Sequence, residues 1–247
     1  MDILYVIGKS GPKNHLELRM SLRSICKYGK NIGNVIVAGF IPDWLSDEVV
    51  KIPIGDKYSY KHSNILRCIE NVVDMGIVDG DFLYSSDDHF YCKDVDFDNY
   101  PYYIKGNLRN YVAVNDPYYR YHKSLYDTRC LLTKYGYPTK NYSQHCNTHM
   151  SSDIIKEIKE LIHESYNLPF GAEPTSLIMN VWQTKENPPP IEHRDDMKIL
   201  HAECLAEIRC QLNGRECFSI GNRAATNTGI TMFFNEEYSY PCIFEKH

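Results

Sequence analysis

The sequence predicts an α/β fold with a sheet flanked by helices, and three observations carry that reading. Short apolar runs, β-branched in the first three, recur at 2–7, 34–40, 49–54 and 81–84. Amphipathic stretches of helical spacing stand among them, at 15–28 and 63–75. Strand, helix and strand in this order builds parallel pairs through crossover connections. The 247 residues suffice for a substantial core, so we expect one domain spanning 1–247 with insertions.

Each element has its own warrant. DILYVI at 2–7 reads as a buried strand closed by Gly8 and followed by the loop GKSGPKN. Leu16, Leu18, Leu22 and Ile25 recur at near-helical spacing, and Gly29 stops that helix. NVIVAGF at 34–40 is the second strand; a turn through Pro42 and Trp44 leads to the third, Val49 to Ile54. Ser63 to Met75 reads as a helix with Ile65, Ile69, Val72 and Val73 inward, Ser63 as cap and Gly76 past its end. DFLY at 81–84 is the next strand and runs into Ser85, Ser86, Asp87, Asp88 and His89. From 97 to 150 the chain is tyrosine-rich and without a clear period, and we read it as irregular excursions that shape a cleft. Ser151 or Ser152 caps a helix from Asp153 to His163, 175–182 is a further apolar run, and 197–212 has helical character. The tail from Phe218 reads as short strands and loops.

Composition narrows the classes. A net charge of −5 and a pI near 6.1 leave no global basic footprint for nucleic acid or anionic membrane. The opening apolar run is too short for a secretory core or a bilayer span, so a cytoplasmic protein without a membrane span is expected. Nine cysteines lack any C-x-x-C spacing and read as free thiols, with His145, Cys146 and His149 the nearest approach to a zinc set. The twenty tyrosines suit packing and, for a few, stacking on sugars or bases.

Chemistry concentrates at Asp87 and Asp88. In open α/β sheets ligands bind outside the carboxyl ends of the strands, so a carboxylate doublet there faces a site rather than the core. Mg²⁺ and Mn²⁺ take one or two protein oxygens and fill the remaining positions with phosphate and water. Adjacent side chains on extended backbone diverge, so one carboxylate would ligate directly and the other through water or a sugar hydroxyl.

Three stretches, LELRMSLRSICKYGKNIGNVIVAGFIPDWL, KHSNILRCIENV and GDFLYSSDDHFY, together resemble the Stealth family of capsular-polysaccharide sugar-phosphate transferases. SQHCNTHMSSDIIKEI and the pair FSIGNRA and FFNEEYSYPCIFEK are similar to that family's later segments, in the same order. The resemblance implies a glycosyltransferase-A-like, Rossmann-like core, with 1–96 as the nucleotide-sugar half and 97–247 as the acceptor half. It implies transfer of a sugar 1-phosphate from a nucleotide sugar, a UDP-sugar first among them, to an acceptor hydroxyl on a glycan.

Carried over by position, Arg19 and Arg23 would lie toward the nucleotide, Ser63 and Asn64 toward the donor, Asp87 and Asp88 at the metal, His145 at the acceptor and Asn222 nearby. Arginine suits phosphate through its planar fork, although two arginines four apart also make an ordinary solvated helix pair. His145 would act as general base, with His89 its rival, or would serve as a hydrogen-bonded loop residue. One departure stands out: the family's Trp-Val-Asp-Gly after the first strand is replaced here by Gly8, Lys9, Ser10 and Gly11. Lys9 and these loop glycines would then cradle phosphate, and the group transferred stays open. The alternatives are an ordinary glycosyltransferase, acting on a glycan or on modified DNA such as a hydroxymethylated base, and a non-catalytic binding module on the same fold.

Overall fold

The computed structural model describes residues 1–9, 15–185, 191–193, 198–221 and 227–246, with backbone alone for 191–193. Along the chain run β1 (Asp2–Ile7), α1 (Leu16–Tyr28), β2 (Gly29–Lys30), β3 (Val35–Gly39), β4 (Val49–Pro53), α2 (Lys61–Asp74) and β5 (Asp81–Ser85). There follow β6 (His89–Tyr91), β7 (Val95–Asp96), β8 (Tyr102–Ile104), α3 (Tyr119–Lys134), β9 (Thr148–Ser151), α4 (Ser152–Glu157), α5 (Lys159–Ser165) and α6 (Pro174–Lys185). The last elements are β10 (Ile191–His193), β11 (Lys198–Ile199), α7 (Leu205–Gln211), β12 (Cys217–Ile220) and α8 (Thr228–Glu237).

The main sheet has the order β4-β3-β1-β5-β9, with β9 antiparallel to β5 and the other pairs parallel. The chain leaves β1 toward β3 and β4 and then returns to β5 on the other side of β1. Strand order therefore reverses between β1 and β5, and in open α/β sheets such a reversal is where ligands bind, beyond the carboxyl ends of the strands. Alternation along each strand divides the core in two. Leu4, Ile36, Ala38, Phe82 and Tyr84 face α2, α4 and α6, while Ile3, Tyr5, Val35, Val37 and Leu83 face α1. A smaller cluster, built on Phe90, Phe218, Phe233 and Phe234, joins α7 and α8 to a second sheet of order β11-β12-β6.

Several sequence expectations are corrected. The region 97–150 holds a 16-residue helix, α3. Its buried face mixes Leu125, Leu131 and Leu132 with Ser124, Asp127 and Thr128, which blurs the apolar period. Those polar groups are used inside: Ser124 donates to the Gly171 carbonyl at 2.7 Å, and Thr128 Oγ1 accepts from the Glu173 N–H at 2.7 Å. The helix expected over 153–163 is two short ones, parted at Ile158 where φ is −92° and ψ 19°. Ser63 is not a cap; α2 begins two residues earlier, behind Tyr60. The tail contains α8, whose Asn227 side chain accepts from the Gly229 N–H at 3.3 Å as an N-cap. Among the described residues no helix is long and apolar enough to cross a membrane.

Two positions yield stability predictions. Gly171 has φ of +69°, and a Cβ there would stand 2.5 Å from Ser63 Oγ. Gly171→Ala is therefore expected to lower stability by about 2 kcal/mol or more, read from the denaturation midpoint. His149, 4% exposed on β9, donates from Nε2 to the Tyr100 carbonyl at 2.7 Å and stacks on Tyr102 at 3.9 Å. Burial holds its imidazole at about 4. Above pH 6.5 both folded and unfolded chains carry it neutral, so it adds no pH dependence. Below 6.5 the unfolded chain binds a proton that the folded one refuses down to about pH 4, and about 3 kcal/mol of stability is lost across that window. An NMR titration in which the His149 ring proton shifts near pH 6.5 in the folded chain would overturn this assignment.

Candidate active site at the β5–β6 turn

The carboxylate doublet lies in the turn that joins the two sheets. β5 runs beside β1 in the register Tyr5 with Ser85, and the chain then turns through Ser86, Asp87 and Asp88 into β6. β6 cannot drift, because α1 is pinned to it. Tyr5 Oη donates to Ser21 Oγ at 3.0 Å, Ser21 Oγ donates to the His89 carbonyl at 2.5 Å, and the Tyr91 N–H donates to Ser24 Oγ at 3.1 Å. The doublet is thus held at the carboxyl edge of β5, where strand order reverses.

The second sheet brings a cation to it. Lys198 pairs with Ser219 across β11 and β12, and Ser219 pairs with His89 across β12 and β6, so these residues form one row. From there Lys198 Nζ reaches 3.6 Å from Asp88 Oδ2 and 3.3 Å from His145 Nε2. His89, 3% exposed, accepts from the Ser86 N–H at its Nδ1, 3.3 Å away. That hydrogen bond assigns the ring proton to Nε2, 3.9 Å from Asp88 Oδ1. Asp88, His89 and His145 are therefore gathered in one place, although His145 comes from a loop more than fifty residues further along.

The electrostatics are those of a crowded acidic site. Burial, reinforced by repulsion from Asp88, pushes Asp87 up to about 6, with Lys61 and Lys198 opposing. Glu17, 7% exposed on the first turn of α1, is pushed up to about 7 by burial and then by Asp87 and Asp88. Burial likewise raises the Tyr84 phenol well beyond its usual range. Such carboxyls are destabilised as anions and gain from a cation brought among them.

The surroundings of the other sequence candidates differ from one to the next. Arg23 makes a two-pronged pair with Glu245, at 2.6 and 2.9 Å, and donates to the Tyr238 carbonyl at 2.8 Å. Arg19 lies 3.4 Å from the same carboxylate and stacks over Trp44 at 4.5 Å. Asn64 orders its own loop, accepting from the Lys57 and Tyr58 N–H groups and donating to the Tyr58 carbonyl. Ser63 is buried beneath Gly171. Lys9 is exposed two residues beyond β1. Asn222, Ser10 and Gly11 lie outside the described residues.

Lys198 and Glu17 are the members that sequence reasoning missed. Lys198 carries no local signal, since it stands 110 positions from Asp88 and arrives only through sheet pairing. Glu17 had one: an acidic residue on the first turn of a helix, one position along from the inward-facing Leu16.

Two adjacent carboxylates, with Glu17 close by, offer the oxygen donors that Mg²⁺ or Mn²⁺ favours. Among the described residues no group of three or more His, Cys, Asp or Glu stands ready to hold a metal by itself. A cation here would need oxygens from a bound ligand, which is how Mg²⁺ is commonly held beside phosphates. No protein-family model matches the chain, and no curated protein does.

Proposed function

We propose that the chain is a metal-dependent transferase with a glycosyltransferase-A-like core, moving a sugar 1-phosphate, or a sugar, from a nucleotide sugar to an acceptor hydroxyl. The observation that carries this reading is the meeting of Asp87, Asp88, His145 and Lys198 at the carboxyl end of β5. Asp87 and Asp88 would hold the cation, Mg²⁺ or Mn²⁺, which when bound supplies positive charge against the diphosphate of the donor. His145 would take the proton of the attacking hydroxyl at Nε2, which accepts from Lys198 in the free chain and is released when that ammonium turns to phosphate. Lys198 orients that ring and Asp88 together, and its ammonium is a further partner for phosphate oxygens. Transfer of this kind rests on positioning and charge stabilisation.

The test is a thermal-shift screen of nucleotides and nucleotide sugars with and without Mn²⁺. A ligand that binds only the folded chain raises its melting temperature, and the shift should require both Mn²⁺ and Asp88. A shift that survives without metal and in Asp88→Ala would instead identify a binding module. Product analysis then separates the two chemistries: release of a nucleoside monophosphate marks attack at phosphorus, and release of a diphosphate marks attack at the anomeric carbon.

A further inference from the structure

A second reactive place lies away from the carboxylates, where the end of the chain returns to α1. Cys26 and Cys242 both line one groove, together with Lys27, Tyr238, Tyr240 and Ile243. Their thiols lie near enough for each to shift the titration of the other, and the Ile243 backbone acts on Cys26 as well. Both cysteines are half-buried, which leaves them within reach of a small reagent.

The approach is built into the fold. Glu245 is bound by Arg23, three residues before Cys26 on α1, and also accepts from the Cys242 N–H at 3.1 Å. The Glu245 N–H donates back to the Cys242 carbonyl at 3.0 Å. One carboxylate therefore fixes the Cys242 turn against the helix that carries Cys26.

We infer that Cys26 and Cys242 are a redox pair which closes to a disulfide on reaction with a low-molecular-weight disulfide such as oxidised glutathione. The pair differs in reactivity. The hydrogen bond from Cys242, followed by that from the Ile243 N–H, holds Cys26 below the usual thiol range, whereas Cys242 is raised by the same contact. Cys26 is thus the attacking thiolate. Its sulfur displaces one glutathione thiolate and forms a mixed disulfide. The Cys242 thiol then loses its proton to solvent and attacks the Cys26 sulfur, and the second glutathione leaves as a thiol. One glutathione disulfide is reduced to two thiols and the protein gives up two thiol protons and two electrons.

The experiment is incubation of the folded full-length chain with oxidised glutathione, alkylation, and peptide mapping without reductant. A Cys26–Cys242 linked peptide as the main product, with two thiols lost per chain, is the expected result. In Cys242→Ser the mixed disulfide should persist on Cys26, and a circular-dichroism melt matching the parent shows that this variant folds. Glutathione placed only on the exposed Cys130, Cys204 and Cys210, with no linked peptide, would overturn the inference. An unmodified Cys26 in Cys242→Ser would do the same.

Discussion

Replacing Asp87 with Asn is expected to raise the melting temperature of the metal-free chain and to remove the transferase activity proposed above. Burial and the neighbouring Asp88 hold Asp87 at about 6 against an ordinary 3.8, so at neutral pH the folded state carries an unfavourable charge. Neutralising it returns up to about 3 kcal/mol, or several degrees in a chain of this size. The gain is complete above pH 6 and fades as pH falls toward 3.8, because below that value both states already hold the carboxyl protonated. Activity should move the other way, falling at least about 10²-fold, since a cation that stabilises departing charge by several kcal/mol loses a ligand. Mn²⁺ should stabilise the parent chain in the presence of the donor and leave Asp87→Asn unmoved. A variant that is both less stable and fully active would remove the basis for placing a cation here.

How much of this was legible beforehand depends on how local each signal is. The strands at 2–7, 35–39, 49–53 and 81–85 announce themselves as short apolar runs, the pattern expected of a sheet covered by helices. The doublet was legible for the same reason: an acidic pair directly after such a run is carried to the strand's carboxyl end. α3 was not legible, because Ser124, Asp127 and Thr128 occupy positions where the pattern calls for apolar residues, and only tertiary partners satisfy them. α8 was misread from the β-branched and aromatic run Ile230 to Phe234, although Asn227 marked its start. Lys198 lies beyond any pattern argument. Its place beside Asp88 depends on two successive strand registers, and registers are set by the assembled sheet.

The arginines of α1 share a carboxylate partner that no local pattern announces, and they support a second strong expectation. Glu245→Ala should destabilise the chain by about 3–5 kcal/mol, because it strands Arg23, 12% exposed, without its carboxylate. The Tyr238 carbonyl still accepts from Arg23 at 2.8 Å, but a carbonyl dipole does not replace a two-pronged anionic partner. The loss extends to Arg19, to the Cys242 turn and to the contact of the chain's end with Trp44, so unfolding midpoints should fall by roughly 6 °C or more. A double-mutant cycle of Arg23→Ala with Glu245→Ala separates the pair from its surroundings and should return a coupling energy above about 1 kcal/mol. Arg23→Ala alone should reduce stability while leaving the affinity for a nucleotide sugar near that of the parent. Were donor affinity to collapse in that variant with the melting temperature unchanged, Arg23 would belong to the nucleotide site and its pairing with Glu245 would be incidental.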